Sequence, residues 1–434
     1  MARIKLAYIG GGSTRAPGTM ASFAHQGENF DGSEVVLIDL DAERLALTRE
    51  IAQRLMAARG LDISVEATTD RLAGLDGCDA VLTSYRPGGF EARVADERIP
   101  LSHNIIGQET QGPGGFFMAL RSIAVMQDIL SDIDRACPGA AIFNYTNPVN
   151  IVSQAVSDNS DANIVSLCEG PIVYPRMLTE AVGLDPDKLD VASVGLNHGS
   201  WSVTHTYEGE SLIPLLREKW EEEAEVPRLA GQERRMLQLA AAMDSVPSGY
   251  FQYYYFEEEI LAEYHAKATT RAEDILAEVP SYWSHYREQA RSQDPQLDPS
   301  RSRGGIHELE LAIDCMDAVF NNRDEVMTVN VANSGSIDGF DDSLVVETLG
   351  RCDAAGVRPV EMPSLPSHVR GLVEALAYYQ QAAADAAWSG TSHEAVQALA
   401  SHPLVRSIDK AERLYAEMAF AHRDYLPERL IPTG

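Results

Sequence analysis

"IKLAYIGGGST", residues 4–14, decides the fold. An apolar run that stops in three consecutive glycines reads as a buried strand feeding a tight turn. A second apolar run, "EVVLIDLD" (34–41), ends in acids. Asp41 then opens a helical pattern, "AERLALTREIAQRLMAARG", which Gly60 closes as a cap. "DAVLTSYRPGG" (79–89), "AAIFNYTNPVN" (140–150) and "NIVSLCEG" (163–170) read as further strands, each followed by a turn. Strands alternating with helices imply a parallel sheet with right-handed crossovers, hence a Rossmann-type, doubly wound α/β fold.

Gly10, Gly11 and Gly12 let the backbone approach a pyrophosphate at a helix N-terminus. Asp39 closes the second strand, where a carboxylate accepts hydrogen bonds from a ribose 2′-hydroxyl and repels a 2′-phosphate. That favours NAD over NADP. Arg15 stands where a third glycine would complete GxGxxG, so the glycines alone also describe a turn without a ligand. The strand context and Asp39 favour the dinucleotide. Ser13, Thr14, Arg86 and Asn147, in the turns after the first, third and fourth expected strands, complete the candidate cofactor set.

The bulk composition narrows the partners. A chain of 434 residues, 45% hydrophobic and 23% charged, forms two or three domains, or two lobes on one core. Its net charge of −30 repels nucleic acid and anionic lipid. An anionic substrate must be drawn in by local arginines, against that field. The five cysteines are odd in number and lack CxxC spacing, which suits reduced thiols in the cytoplasm. No stretch approaches the roughly 20 apolar residues of a membrane span, and the N-terminus shows no signal-peptide pattern.

"SLCEGPI" (166–172) places a thiol beside a carboxylate at a strand end. Cys168 reads as core filler, nucleophile or metal ligand. On its own it is most simply a buried thiol, and His198 of "GLNH" a hydrogen-bonded structural histidine.

The chain resembles the NAD- and metal-dependent glycosidases of glycoside hydrolase family 4, whose architecture is that of lactate and malate dehydrogenases. The resemblance runs along nearly the whole sequence: "IGGGST" (9–14), "RPGG" (86–89), "GQETQGPGGFFMALR" (107–121), "NYTNPVN" (144–150), "LCEGP" (167–171), "GLNH" (195–198), "GYFQYYYF" (249–256), "TRAED" (270–274) and "NSGSIDGFDD" (333–342). It implies an NAD-binding domain over 1–170 and a mixed α/β metal-binding, substrate-binding and oligomerisation domain over 171–434.

The resemblance also implies roles. Cys168 and His198 hold a divalent metal, usually manganese, with sugar hydroxyls and water completing the shell. NAD⁺ oxidises the sugar at C3, a base removes the C2 proton, and the C1 group is eliminated. Water then adds and the hydride returns, so the net reaction is hydrolysis. The base is Tyr250, whose phenol needs nearby positive charge to lower its pKa. Glu169 departs from the Asn or Asp commonly found after the metal cysteine. It is either a general acid for an α-glycoside or a carboxylate hydrogen-bonded to a metal ligand. Arg15, Arg93, Glu109, Asn147, Asn197, Arg303 and His307 are the substrate-side candidates. The implied substrate is an anionic hexoside, a 6-phosphoglucoside first, with a sulfoquinovoside or hexuronide as alternatives. The implied assembly is a homodimer or homotetramer. Two other readings stay open: a malate/lactate-type NAD dehydrogenase, and a catalytically dead NAD-binding regulator.

Overall fold

The computed structural model describes residues 1–303 and 310–432. Strands β1 (Lys5–Ile9), β2 (Glu34–Ile38), β3 (Ser64–Thr68), β4 (Ala80–Thr83), β5 (Ala141–Asn144) and β6 (Ile164–Ser166) are parallel and lie in the order 3-2-1-4-5-6. That is the order of two mononucleotide-binding halves meeting at a crevice between β1 and β4. Helices cover both faces, which is why β1 is apolar along its length rather than alternating. Leu6 and Tyr8 enter the core beneath the helices Ala16–His25 and Ala42–Ala58. Ala7 and Ile9 enter the opposite core, beneath Gly112–Ala136 and Ser367–Trp388.

The sheet continues past the boundary expected at 170/171. Strands β7 (Leu189–Leu196), β8 (Gly199–Tyr207), β9 (Glu210–Ser211), β10 (Glu325–Ala332), β11 (Val345–Asp353) and β12 (Gly356–Pro359) extend it. Beyond β6 the order is β10, β11, β7, β8, β9, with β12 on β11, and every pairing there is antiparallel. The second half is thus an antiparallel extension grafted onto the edge of a parallel sheet.

The expected helix after β2 spans Ala42–Ala58, with the Asp41 side chain accepting from Arg44 N at 3.0 Å and Gly60 left-handed at φ 69°. The periodicity of "KAERLYAEMAFAHRDYLPERL" (410–430) predicts helix throughout; the helix Ile408–Ala421 stops earlier. Leu426-Pro427 bars continued helix, and His422 turns inward, 1% exposed, to lie 2.9 Å from Asp96 Oδ1. Asp96 also takes both Arg121 Nη1 (3.0 Å) and Nη2 (2.6 Å), and neither side chain of this pair is exposed. Arg121 Nε reaches Pro87 O at 3.3 Å, so the pair also braces the turn carrying Arg86. Among the described residues no helix is long and apolar enough to cross a membrane.

Removing one partner of a buried ion pair strands the other charge. Arg121→Met should therefore cost about 3–5 kcal/mol in urea unfolding. A cost within ordinary surface values would show that Asp96 is satisfied without it.

Candidate functional site

Three features converge at the carboxyl edge of the sheet. The first is the glycine turn. Gly10 N and Gly11 N both donate to Ile38 O, at 2.9 and 3.1 Å. Gly10 sits at φ 101°, and a Cβ there would stand 2.1 Å from Ser84 O, so only glycine fits. Gly12 N donates to Asp39 Oδ2 at 2.9 Å and Leu40 N to Asp39 Oδ1 at 2.7 Å. Asp39 thus braces the turn as well as ending β2. The helix Ala16–His25 then begins at Arg15 without any side-chain cap; Ala16 N donates to Ser13 O at 3.2 Å and Pro17 has no N–H, so the positive end of the helix dipole is what favours an anion there. Ser13 Oγ is buried without a partner, and Thr14 O accepts from Tyr286 OH at 2.8 Å. The turn fits a dinucleotide pyrophosphate.

The second feature lies where the parallel sheet meets its antiparallel extension. Cys168 follows β6. Asn197 and His198 form the two-residue turn joining β7 to β8, with His198 at φ 61°. A non-glycine residue held there stores about 1–3 kcal/mol of strain. The turn aims His198 Nε2 at Cys168 Sγ, 3.6 Å away, while Thr110 Oγ1 lies 2.9 Å from Nδ1. Burial pushes the His198 pKa down to about 3, so Nε2 is an available neutral donor. Burial, then the Glu347 charge, pushes the Cys168 thiol up to about 12, an obstacle a bound cation removes. Among the described residues no third His, Cys, Asp or Glu joins the pair. Asn197 Oδ1 and Asn147 Oδ1 are buried and unpartnered. A soft thiolate, an imidazole and neutral oxygens fit a divalent ion that keeps open positions.

The Tyr250 ring stacks on His198 with centroids 3.7 Å apart and planes 9° apart. Tyr174 meets Tyr250 edge-on at 5.8 Å. Burial raises the Tyr250 pKa, and Tyr174, Cys168 and Glu109 push it the same way. Arg93 is a cation within electrostatic reach of Tyr250, but burial and these neighbours outweigh it, so a phenolate there calls for further positive charge brought in by a ligand. Of the neighbouring aromatics, Phe251 is fully buried against Trp201, centroids 4.6 Å apart, and serves packing.

The third feature is charge. Glu109 Oε2 takes Arg86 Nη2 at 2.8 Å and Arg93 Nη1 at 2.6 Å; Arg93 Nε also takes Glu97 Oε1 at 2.7 Å. The Arg303 and Arg86 guanidiniums both lie over Phe90, at 5.0 and 5.4 Å from its centre. Burial and then the Arg86 charge lower the Arg303 pKa. Arg86 Nη1 is buried without a partner. Three guanidiniums face two carboxylates, a geometry that an anion relieves. Arg15 is the reverse case: one guanidinium between Glu169 (3.1 Å) and buried Glu310 (3.5 Å), and 4.7 Å from the Tyr145 ring centre. Glu169 therefore pairs with Arg15 rather than with a metal-ligand candidate. The contact also ties the glycine turn to Cys168. His307 lies outside the described residues.

Sequence reasoning missed Glu347, Asn330, Thr110 and Tyr174. Glu347 carried a signal: a lone acid inside the apolar run "LVVETLG" is expensive unless it is paired.

These parts recur in known proteins. A 6-phospho-alpha-glucosidase from gut microorganisms, solved in complex with NAD and Mn²⁺, superposes with a TM-score of 0.85 at 25% identity, covering 98% of this chain and 99% of that one. Malate dehydrogenase of Plasmodium falciparum, 12% identical with a TM-score of 0.57 over 89% of this chain and all of that one, shares the fold alone. A probable 6-phospho-beta-glucosidase of Bacillus subtilis (strain 168) is 32% identical over 435 residues, 98% of each chain. The protein is of the class of glycosidases that work through NAD and a divalent metal. Residues 5–184 match the family 4 glycosyl hydrolase model and residues 193–405 match that of its C-terminal domain, so the chain belongs to glycoside hydrolase family 4.

Asp39→Ala removes the brace on Gly12 and the acid at the end of β2. NAD⁺ affinity, read by fluorescence titration, should fall roughly tenfold, the worth of one charge-assisted hydrogen bond, and discrimination against NADP⁺ should narrow. Unchanged affinity for both nucleotides would put the ribose elsewhere.

Proposed function

We propose that this enzyme hydrolyses hexosides carrying an anionic group, a 6-phosphoglucoside first, by acting at C2 and C3 of the sugar rather than through an oxocarbenium ion. The stack of Tyr250 on His198, beside Cys168, carries this reading, because it sets a base against a metal-ligand candidate. Named relatives act on phosphorylated glucosides of both anomers, as their names state.

Cys168 and His198 would hold the metal. The turn Gly10–Thr14 with Asp39 would hold the dinucleotide, and Asn147, whose buried Oδ1 lacks a partner, would serve both cofactor and sugar. When bound, NAD⁺ supplies a hydride acceptor and the metal a Lewis acid that acidifies the C2 hydrogen. Tyr250 takes the C2 proton on its phenolic oxygen. Glu169, fixed by Arg15, is the general-acid candidate for the departing oxygen. Arg86, Arg93 and Arg303, with Glu109 between them, bind the substrate's anion; the net acid around Arg15 disfavours it there. Five unpaired thiols suit a reducing cytoplasm. Exposed Tyr378 and Phe420, on the C-terminal helices, suit a homodimer or homotetramer.

Turnover in D₂O tests the chemistry. Product should carry deuterium at C2, NADH should not accumulate, and Tyr250→Phe should lose about 100- to 10,000-fold in kcat while still binding substrate. NAD⁺-independent hydrolysis with C2 hydrogen fully retained would defeat the reading, and NADH accumulating with product would make the enzyme a dehydrogenase.

A further inference from the structure

Pairing places Ser166 (β6), Asn330 (β10), Glu347 (β11) and Gly195 (β7) side by side in one row across the seam. Cys168 lies two residues beyond one end of this row and Asn197 two beyond the other. Glu347, at its centre, is 1% exposed. Among the described residues no basic group pairs with it; its partners are neutral. Glu347 Oε1 accepts from Asn197 Nδ2 at 2.9 Å and, over a longer 3.5 Å, from Asn330 Nδ2. Its Oε2 accepts from Ser200 Oγ at 2.7 Å.

Both carboxamides turn their NH₂ towards Glu347. Each then presents its oxygen away from it. Asn197 Oδ1 and Asn330 Oδ1 are both buried, and both lack a partner. Burying an unsatisfied acceptor costs about 1–3 kcal/mol, and the Asn197 side chain also hydrogen-bonds Cys168, so an electropositive guest beside the thiol would relieve that cost. Neutral carboxamide oxygens beside a thiolate and an imidazole suit a divalent ion of intermediate hardness. Burial pushes the Glu347 carboxyl up to about 7; with a cation favouring the charged forms, one thiolate and one carboxylate would balance its charge and keep the buried site near neutrality.

We infer that Glu347 is a positioning residue of the metal centre, turning Asn197, and at longer range Asn330, so that their oxygens face the cation and offsetting that cation's charge. The inference rests on the ligand reading of Cys168 and His198. Asn197 then serves the metal before it serves the sugar, and the antiparallel extension contributes to the metal's affinity as well as covering the site.

Mn²⁺ affinity measured without substrate, by the EPR signal of free Mn²⁺, tests this. Glu347→Gln removes the charge, while Gln Oε1 still accepts from the carboxamides and its NH₂ donates to the Ser200 hydroxyl; Glu347→Leu removes the charge and both acceptors. Mn²⁺ affinity should fall in both, roughly 10- to 100-fold in Glu347→Leu, the range for lost outer-shell partners, with NAD⁺ affinity unchanged. Glu347→Asp, which keeps the charge, should recover part of the loss. Asn197→Ala, which leaves the Glu347–Ser200 bond intact, should weaken Mn²⁺ as well and serves if Glu347→Leu does not fold. Cys168→Ser is the reference. If it weakens Mn²⁺ while Glu347→Leu and Asn197→Ala do not, the inference is overturned and the ligand reading survives. If Cys168→Ser leaves Mn²⁺ affinity intact, the ligand reading itself fails. Unchanged Mn²⁺ affinity with a raised KM in Asn197→Ala would assign that oxygen to the sugar and also overturn the inference.

Discussion

Cys168 Sγ and His198 Nε2 meet 3.6 Å apart across a seam, and the rest of the site depends on that meeting. The thiol comes from the end of the last parallel strand. The imidazole comes from a strained two-residue turn in the antiparallel extension. Neither half of the chain holds both, so the continuous sheet fixes their separation. The base candidate stacks on the imidazole, and Arg15 links the glycine turn to the residue beside the thiol. A dinucleotide at the crevice and a metal at the seam would then address one sugar ring from adjoining positions.

The electrostatics follow the same division. A protein of net charge −30 concentrates Arg86, Arg93 and Arg303 around Glu109, against its overall field. That cluster is crowded enough to disfavour the Arg303 cation, so a bound anion stabilises what burial destabilises. Arg15, between two carboxylates, has its charge spent inside the protein. Two arginines that look alike in sequence thus do different work, and only their partners distinguish them.

Five of the six parallel strands were legible in the sequence because their signals are local; β3 (Ser64–Thr68), short and only partly apolar, was not read. Apolar runs ending in glycine or acid mark β1 and β2, and Asp41 and Gly60 bound the helix between β2 and β3. The antiparallel extension was not, since nothing local says that β10 inserts between β6 and β11. The end of the last helix was misjudged for a similar reason: His422 leaves the helical pattern to reach Asp96, a partner more than 300 residues away in sequence. In the site, Cys168, His198 and Tyr250 came from motif resemblance, and the structure brings all three together. Glu347 and Asn330 were missed because their meaning is a row across strands, and row neighbours are invisible until pairing is known. The Arg15–Glu169 pair, 154 residues apart in sequence, is of the same kind.

The central claim is that Cys168 and His198 grip a divalent metal at the seam. Co²⁺ substituted into the NAD-loaded protein reports on this directly, because a cobalt–thiolate bond adds a near-ultraviolet charge-transfer band. The wild-type protein should show that band, Cys168→Ser should lose it while still binding NAD⁺, and His198→Ala should lose cobalt affinity. A wild-type spectrum without the band, or a band that survives in Cys168→Ser, would contradict the account.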